Sequence, residues 1–423
     1  MERDLMTLAA GRDDCPCGIP HHCDIRNILL APGAVNRTGE VLSPWKKILL
    51  VADTNTYALC GSAVASQLGT SLQDTLIYES EGFLVPNEEA IDILMNRVQA
   101  DTDYIVGIGS GVINDLCKYV SFKKGLEYAI ITTAPSMDGY ASVHAAMIIG
   151  GAKVTYEAHM VHTVIADVDI LKNAPMEMIC AGYGDIVGKF SALNDWKLSC
   201  AMYDEYFCQY VYDLIYDATL RAAPLGEALQ RRDPEAVSVL MHAILAVGIA
   251  MAYIGNSRPA SGSEHHLSHY FEVTSLLRHE PYFLHGIDVA YATVDTQIMR
   301  EAILALDDPS PAPVIGDAER ESAVRRIYGT AADSILTLQK KFGKYDSDLA
   351  GLIREKWPAI RAVLSEVPSA ETIRGYMASV GLPMEKYFAM YSDKKRADGF
   401  FWAKDLKDRF TVLWVWYTLI GKI

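Results

Sequence analysis

The segment Ser261–Glu272, which reads SGSEHHLSHYFE, contains closely spaced histidines. His265 and His269 are four residues apart, so on a helix they share one face. Two imidazoles on one helical face are a common arrangement for binding a divalent metal ion. His285, in the string Leu-His-Gly at a predicted loop-to-helix junction, is a candidate for a further ligand. The alternative is a histidine-rich surface helix that binds no metal.

The same segment contains a signal for the start of a helix. Ser261 and Glu264 have the spacing of a capping box, which predicts that a helix begins there. His266 lies about 100° round that helix from His265. We therefore expect His266 to be structural or exposed rather than a ligand.

A carboxylate would complete a site suited to zinc, nickel or iron. Asp185, in the string Gly-Tyr-Gly-Asp, is the candidate, and the pattern after it predicts an apolar helix that starts at this residue. Taken alone, an acid at a helix start is more often an N-cap. Both roles for Asp185 stay open at this level.

A glycine turn, Gly109-Ser110-Gly111, follows the apolar run Tyr104–Ile108 and precedes the helix-compatible run Val112–Phe122. Glycines allow close backbone approach, and the amides at a helix start attract a pyrophosphate. The turn is not a complete G-x-G-x-x-G motif, because the third glycine is missing. It predicts either a dinucleotide site or an ordinary tight turn.

Two further strand ends carry groups that suit a dinucleotide. Thr132–Ser136 follows the apolar run Tyr128–Thr132 and offers hydroxyls and backbone groups, with an ordinary capped turn as the alternative. Asp53 ends the run Lys47–Ala52, where an acid accepts hydrogen bonds from ribose hydroxyls. As a lone acid it is more often the cap of the next helix, here Thr54–Leu59.

These strand-like runs alternate with helix-length stretches in the first part of the chain, whereas long helical patterns dominate the rest. The alternation predicts a mostly parallel sheet flanked by helices. We therefore expect an α/β N-terminal dinucleotide-binding domain over residues 1–180 and an all-α C-terminal domain over residues 181–423. A length of 423 residues agrees with two domains.

Composition and charge exclude several classes of protein. Half of the residues are hydrophobic and 22% are charged, as in a globular protein with a core. The formal net charge of −15 argues against nonspecific binding to nucleic acid, which needs a basic surface. We find no secretory signal and no membrane-spanning segment, so we expect a cytoplasmic protein without a membrane partner. Five of the eight cysteines have apolar neighbours and are expected to be small core residues: Cys60, Cys117, Cys180, Cys200 and Cys208.

The other cysteines cluster near the N-terminus with two histidines: Cys15, Cys17, His21, His22 and Cys23. Such residues can form a small structural or regulatory metal site, which would make this segment an interaction module. Their spacing is tighter than in the usual zinc knuckles. The alternative is an N-terminal segment without a metal.

Five strings, in order along the chain, resemble one enzyme family. They are GSGVINDLCK (Gly109–Lys118), TAPSMDGYAS (Thr133–Ser142), AGYGDIVGKFSALNDWKLS (Ala181–Ser199), RPASGSEHHLSH (Arg258–His269) and LHG (Leu284–Gly286). Together they resemble the sn-glycerol-1-phosphate dehydrogenase family, within the group that contains glycerol dehydrogenase, iron-containing alcohol dehydrogenases and dehydroquinate synthase. The resemblance implies the same two domains, with an active site in the cleft between them.

The resemblance also implies roles for individual residues. Asp185, His265 and His285 are the implied ligands of one divalent ion, zinc in the first place and nickel or iron as alternatives. His269 and Asp138 are the implied catalytic residues, and these two together with Asp185 are the implied substrate contacts. The implied contacts with NAD or NADP are Asp53, Gly109, Ser110, Gly111, Val112, Ile113, Asn114, Asp115, Thr133, Ala134, Pro135, Ser136 and Ser142. Ser110 replaces the middle glycine that is common in the family and adds a side chain near the expected pyrophosphate.

The implied reaction is the NAD(P)H-linked reduction of dihydroxyacetone phosphate to sn-glycerol-1-phosphate, and its reverse, in a homo-oligomer. Arg258 and Lys189 are candidates for holding the phosphate, on their charge and their closeness to the motifs. Three alternatives stay open: a glycerol or polyol dehydrogenase, a dehydroquinate-synthase-like cyclase, and a metal-binding interaction protein.

Overall fold

The computed structural model describes residues 4–79, 84–149 and 152–421. These residues form two compact units. The first unit runs to Tyr183 and also includes Glu227–Asn256, and the second comprises Gly184–Gly226 and the described residues from Ser257 onward. A functional division of the chain at residue 180 stays a prediction.

Parallel strands form the sheet of the first unit. The described strands of this unit are β1 (Asn27–Ala31), β2 (Ile48–Asp53), β3 (Leu72–Tyr78), β4 (Tyr104–Gly109), β5 (Glu127–Thr132), β6 (His144–Ile149), β7 (Ala152–Glu157) and β8 (Thr163–Asp167). Six of them pair in the order β1-β8-β5-β4-β2-β3, each pair in parallel. The hairpin of β6 and β7 is separate and antiparallel. The mostly parallel sheet expected from the sequence is confirmed.

The inner strands are apolar because both faces of the sheet are covered. Residues 48–52 of β2 and all six residues of β4 are buried. A strand covered on both faces forms a continuous apolar run rather than an alternating one. The sequence therefore indicated these two strands, whereas it did not indicate β1, whose residues are half-buried or exposed at the sheet edge.

The strand order reverses beside β2. The next strand, β3, lies on one side of β2, whereas β4, β5 and β8 lie on the other. In sheets of this kind, ligands bind outside the carboxyl ends of the strands at such a switch point. The register pairs Ala52 with Ile108 and Gly109 with Thr132, so the ends of β2, β4 and β5 meet at one edge. The predicted nucleotide segments all begin there.

Helices make up most of the remaining described chain. They are α1 (Leu5–Ala9), α2 (Thr38–Val41), α3 (Thr54–Leu68), α4 (Glu88–Arg97), α5 (Gly111–Lys124), α6 (Val168–Leu171), α7 (Met176–Val187), α8 (Lys189–Tyr203), α9 (Gln209–Ala222), α10 (Gly226–Gln230), α11 (Pro234–Ile254), α12 (Ser263–Arg278), α13 (His285–Leu304), α14 (Asp317–Tyr328), α15 (Ala332–Phe342), α16 (Leu349–Glu355), α17 (Trp357–Leu364), α18 (Ala370–Ser379), α19 (Met384–Met390), α20 (Asp393–Trp402) and α21 (Val412–Leu419). The residues described after β8 contain no strand, which confirms a helical C-terminal part.

Helix α11 is long and apolar enough, by length and composition, to cross a membrane. It is the one such helix in the described ranges, and 78% of its most apolar window is buried inside the protein. Burial of this kind is typical of the core helix of a soluble protein.

Two local predictions near the expected metal ligands were wrong. Asp185 does not start a helix, because α7 begins at Met176 and Asp185 lies close to its end, so an N-cap role is excluded. Ser261 does not cap α12, which begins at Ser263 without a side-chain cap. Glu264 instead accepts a hydrogen bond from the backbone N–H of Gly262 at 2.8 Å.

Candidate metal centre and dinucleotide site

Asp195 fixes the start of the histidine-bearing helix α12. Its Oδ2 accepts a hydrogen bond from the backbone N–H of Ser263 at 2.7 Å. A Cβ atom at residue 262 would lie 2.6 Å from the same oxygen, so this close approach requires Gly262. The buried guanidinium of Arg300 lies 3.0 Å from the other oxygen, Oδ1. The direction of the histidines on α12 therefore depends on a buried ion pair.

A second glycine brings Asp185 close to the start of α13. A Cβ atom at residue 184 would lie 2.3 Å from the carbonyl oxygen of Gly286, so only Gly184 permits this distance between the two backbones. His285 is the first residue of α13, as the loop-to-helix junction predicted. Ser268 Oγ lies 3.3 Å from His285 Nδ1 and steadies this imidazole.

Asp185, His265 and His285 come together in the second unit. Each offers one ligand atom, and these atoms lie within 4.8 Å of one another. Asp185 Oδ1 is 3.6 Å from His265 Nε2, and the ring centroids of His265 and His285 are 5.1 Å apart. In a tetrahedral zinc site with bonds of about 2.0–2.2 Å, oxygen and nitrogen ligands are roughly 3.4 Å apart. The spacing of the three side chains therefore fits a single divalent ion.

Glu264 orients His265. The carboxylate Oε1 lies 2.7 Å from His265 Nδ1, so the Nδ1–H donates to it and Nε2 faces Asp185. A carboxylate behind a histidine in this way fixes the tautomer and makes the imidazole a better ligand. The spacing of Ser261 and Glu264 predicted only a capping role for this glutamate. Its position next to a candidate ligand was the one available signal.

The charges in the cluster favour the metal-binding form of each ligand. Burial raises the pKa of Asp185, but electrostatic interactions, first with the positive charge of Lys189 and then with His265 and His285, outweigh burial and hold that pKa below its ordinary value. Lys189 Nζ lies 2.8 Å from Asp185 Oδ1. Burial and the charge of Lys189 lower the pKa of His265 well below its ordinary value. Asp185 is thus a carboxylate and His265 a neutral imidazole, which are the forms that bind metal.

His269 lies beside this cluster, one helical turn beyond His265. Its ring centroid is 6.3 Å from that of His265 and 5.3 Å from that of His285. Burial lowers the pKa of His269 to about 3, so its imidazole is neutral at ordinary pH. The Nδ1 atom lies 3.6 Å from Glu272 Oε2, and 23% of the side chain is exposed. His269 is thus a neutral, partly accessible hydrogen-bonding group next to the candidate ligands.

The two cations suggested for the phosphate have protein partners. Arg258 lies 2.8 Å and 3.0 Å from the two carboxylate oxygens of Glu205, through Nε and Nη2. Lys189 is fully buried and donates to Asp185 and to the carbonyl of Ala260. Both cations therefore stabilise the second unit through contacts of its own.

Lys407 is a cation that no sequence motif indicated. After burial, its positive charge is a main cause of the lowered pKa of His266, and it also lowers the pKa of His269. Lys407 is half-buried, in the turn between α20 and α21. Its positive charge therefore acts on the histidine that lies beside the candidate ligands.

In the first unit, the glycine turn connects β4 to α5 as expected. A Cβ atom at residue 109 would lie 2.5 Å from Ile113 Cβ, so only glycine fits at this position. Ser110 is the N-cap residue of α5, and its side chain makes no capping hydrogen bond. The first amides of α5, at Gly111, Val112 and Ile113, have no partner within the helix, which is the arrangement that binds a pyrophosphate elsewhere.

Buried polar residues of α5 hold the segment that follows β5. Lys118 Nζ donates to the carbonyl of Gly139 at 2.7 Å and lies 3.1 Å from Ser142 Oγ. Asn114 Nδ2 donates to Asp115 Oδ1 at 3.2 Å. Burial lowers the pKa of Lys118 to about 8. Lys118 thus holds Ser142, and the charge of Asp115 acts on the same lysine.

The segment Thr133–Ser136 runs beside the glycine turn. The backbone N–H of Thr133 donates to the carbonyl of Gly109 at 3.1 Å. Tyr140 Oη donates to the carbonyl of Ala134 at 2.7 Å and lies 3.2 Å from Ser136 Oγ. The loops after β4 and β5 are therefore neighbours, as a shared nucleotide site requires.

The two predicted acids of this unit have different surroundings. Asp53 caps α3, because its Oδ1 accepts the backbone N–H of Thr56 at 2.9 Å in a capping box. Asp138 begins the 3₁₀ turn Asp138–Ala141, and its charge acts on Lys118. Asp53 thus has the capping role that was its alternative, at the carboxyl end of the switch-point strand.

Comparison with known proteins gives concordant results. The family model of iron-containing alcohol dehydrogenases matches residues 29–175. A glycerol-1-phosphate dehydrogenase (NAD(P)+) of Halalkalibacterium halodurans is 34% identical over 288 residues, which is 66% of this chain and 72% of the relative. The enzyme of that name from Geobacillus stearothermophilus is 29% identical over 388 residues, 90% of this chain and 89% of the relative. An iron-containing alcohol dehydrogenase structure from Thermococcus thioreducens has a similar fold, with a TM-score of 0.59 and 15% identity over 90% of this chain and 91% of that one.

Proposed function

Because the chain belongs to the glycerol-1-phosphate dehydrogenase family, we propose that it catalyses the metal-dependent, NAD(P)H-linked reduction of dihydroxyacetone phosphate to sn-glycerol-1-phosphate, and the reverse oxidation. The observation that carries the proposal is the cluster of Asp185, His265 and His285, whose ligand atoms lie within 4.8 Å of one another. A set of two imidazoles and one carboxylate leaves a position open for a substrate oxygen.

The three ligands would hold zinc in the first place, with nickel or iron as alternatives. A divalent ion bound there supplies Lewis acidity toward the C2 oxygen of the substrate. Lys189 keeps Asp185 in its anionic form, and Glu264 keeps Nε2 of His265 turned toward the cluster. The protein thus contributes a preformed donor set.

His269 and Asp138 are the proposed catalytic residues and, with Asp185, the proposed substrate contacts. A pKa of about 3 keeps His269 neutral, so it donates one hydrogen bond and accepts another rather than storing a proton. In the reduction, the C2 oxygen gains a proton, and a neutral imidazole can relay it while receiving another from its surroundings. Asp138 is proposed on its place in the family motif.

The dinucleotide would lie at the carboxyl ends of β2, β4 and β5. The amides at the start of α5 would bind the pyrophosphate, with Thr133–Ser136 and Ser142 on one side and Asp53 on the other. NADH or NADPH supplies a hydride to the C2 atom of the substrate. The supporting observation is that the three strand ends are neighbours in the sheet.

The test uses full-length protein loaded separately with zinc, nickel or ferrous iron. We expect oxidation of NADH or NADPH with dihydroxyacetone phosphate, and in His265→Ala loss of activity together with loss of the metal bound by Asp185, His265 and His285. Turnover of free dihydroxyacetone or glycerol, without turnover of dihydroxyacetone phosphate, would favour a polyol dehydrogenase. Release of inorganic phosphate without a net change in NADH would favour a cyclase. Absence of turnover with all three metals would overturn the proposal.

Lys407 is the proposed phosphate-binding cation. We expect Lys407→Met to raise the KM for dihydroxyacetone phosphate by about tenfold, as for loss of one charge-assisted contact of about 1.4 kcal/mol. Turnover of unphosphorylated dihydroxyacetone should be unchanged, and Lys407→Arg should restore most of the affinity. The matched control is Lys386→Met, at an exposed lysine of α19. An unchanged KM in Lys407→Met would remove this assignment.

We further propose a cytoplasmic homo-oligomer without a membrane partner. The burial of α11 inside the protein supports the absence of a membrane-spanning role. Light scattering on the purified protein tests the assembly, and a monomer at micromolar concentration would contradict it.

A further inference from the structure

The segment Arg12–His21 forms a closed loop in the first unit. The backbones of Arg12 and His21 exchange two hydrogen bonds of 2.8 Å each. Inside the loop, the N–H of Gly18 donates to the carbonyl of Cys15 at 3.0 Å, and Gly18 has φ +83°. A residue with a side chain rarely adopts this conformation. The turn places Cys15 and Cys17 on the same side as His21.

Three soft or borderline donors converge in this loop. Cys15, Cys17 and His21 each offer a ligand atom, and these atoms lie within 4.8 Å of one another. Cys17 Sγ is 3.5 Å from His21 Nε2. A tetrahedral zinc ion with Zn–S of about 2.3 Å and Zn–N of about 2.0 Å separates sulfur from nitrogen by roughly 3.5 Å. The observed distance therefore equals that of a zinc site.

His21 is held in the tautomer that a metal ligand needs. Its Nδ1 lies 3.1 Å from the carbonyl oxygen of Tyr253, so Nδ1–H donates and Nε2 carries the lone pair toward Cys17. The imidazole is fully buried and stacks on the ring of Tyr253, with centroids 5.1 Å apart. Tyr253 Oη also donates to the carbonyl of Leu8 in α1. The same tyrosine of α11 thus contacts both the loop and the N-terminal helix.

The two other residues of the N-terminal cluster are placed differently. His22 Nδ1 faces Asp13 at 4.0 Å, and 73% of the His22 side chain is exposed. Cys23 is not among the residues whose ligand atoms converge. Only part of the cluster suggested by the sequence therefore has the geometry of a site.

We propose that Cys15, Cys17 and His21 bind a structural zinc ion, which fastens the N-terminal segment to α11. Thiolate and imidazole ligands select zinc over hard cations such as magnesium. These three residues would leave one position of a tetrahedral zinc ion for a further ligand. The ion differs from the one proposed at Asp185 because sulfur ligands are part of its coordination. Its function is to hold the segment in place, since metal binding and ordering of such a loop are coupled.

The test separates the two ions by working with His265→Ala in the full-length chain, reduced and reconstituted with zinc. We expect this variant to retain about one zinc equivalent, with sulfur scatterers near 2.3 Å in its X-ray absorption spectrum. Adding Cys15→Ser and Cys17→Ser should remove that equivalent. Adding His22→Ala or Cys23→Ser instead should leave it in place, and these two are the matched controls.

A second measurement guards against loss through misfolding. Trypsin should cut after Arg12 or Arg26 at least tenfold faster in Cys15→Ser/Cys17→Ser than in the parent, while the far-ultraviolet circular dichroism stays the same. Absence of sulfur-bound zinc in the His265→Ala protein would overturn the proposal. So would a thiol titration showing that Cys15 and Cys17 are oxidised to a disulfide in the reduced, zinc-loaded preparation.

Discussion

Single side chains behind the proposed ligands would decide how tightly the proposed metal centre binds its ion. His265 faces Asp185 only because Glu264, fully buried, holds its Nδ1 at 2.7 Å. Burial raises the pKa of Glu264, and the hydrogen bond from the backbone N–H of Gly262 opposes that rise. A carboxylate in this position would act on the proposed metal ion through the histidine, as a positioning residue.

We predict that Glu264→Ala weakens zinc binding about 10- to 100-fold, the usual effect of losing such a partner. Glu264→Gln keeps an acceptor oxygen but loses the charge, so its effect should be smaller. Competition with a chelator of known affinity measures both. The control is Glu385→Gln, at an exposed glutamate of α19. Equal zinc affinity in Glu264→Ala and the parent would show that His265 needs no such support.

At the scale of elements, α12 is positioned by a charge pair rather than by a cap in its own sequence. Asp195 in α8 accepts the first amide of α12 with Oδ2, and its Oδ1 accepts the backbone N–H of Val412 at 2.8 Å. Arg300 in α13 is fully buried beside the same carboxylate. One aspartate thereby connects the starts of two helices to a third.

We predict that Asp195→Asn lowers the free energy of unfolding by about 3–5 kcal/mol, because it leaves the buried Arg300 charge without its counter-ion. Zinc affinity should fall in parallel, since the start of α12 is released. Urea unfolding measures the first effect. Glu371→Gln is the control: its ion pair with Arg374 is 3.7 Å long and largely exposed, so it should change stability by less than about 1 kcal/mol. A similarly small effect of Asp195→Asn would contradict the argument.

The start of α5 allows folding and cofactor binding to be tested separately. Ser110→Asp places an acid at an N-cap, which favours the helix but repels a pyrophosphate at the same amides. We predict unchanged or higher stability, together with a KM for NADH or NADPH raised about tenfold or more. Ser110→Gly, which restores the family's usual residue, should bind the cofactor as well as the parent does. A cofactor KM unaffected by Ser110→Asp would place the pyrophosphate elsewhere.

For the whole molecule, buried imidazoles make stability depend on pH. Burial lowers the pKa of His265 and His266 well below the ordinary value and that of His269 to about 3. Below about pH 6.5 the unfolded chain protonates these groups, whereas the folded, metal-free protein does not. The unfolded state then binds more protons. The free energy of unfolding of the metal-free protein should therefore fall as pH falls below about 6.5.

His266 allows this expectation to be measured. Neither of its ring nitrogens has a hydrogen-bond partner in the described parts of the chain, so leucine removes buried polar atoms there. We predict that His266→Leu makes the slope of the unfolding free energy below pH 6 shallower by about 1.4 kcal/mol per pH unit, one proton's worth. Denaturant titrations of metal-free protein at several pH values measure the slope. His22→Leu, at an exposed histidine, should leave it unchanged. An unaltered slope in His266→Leu would mean that this ring is protonated in the fold.

The sequence alone determined the features that depend on local spacing. Short stretches of residues were enough to predict four such features. These are the apolar runs of β2 and β4, the glycine turn after β4, the placement of His265 and His269 on one helical face, and the start of α13 at His285. Periodicity and turn chemistry report on neighbours in the chain, so they suffice for such elements. The ordered motifs added the family, which the relatives bear out.

Only the tertiary structure decided what lies beside what. Asp185 was expected at a helix start, but it lies inside α7 because the helix begins nine residues earlier. For Glu264 the one local signal is its position next to His265, and for Lys407 there is none, because the effects of both on the histidines depend on packing and through-space charge. Among the N-terminal residues, a positive-φ glycine and a carbonyl of α11 select Cys15, Cys17 and His21 over His22 and Cys23. Distances between residues far apart in the chain depend on how whole helices and strands pack, and rules based on sequence spacing cannot predict them.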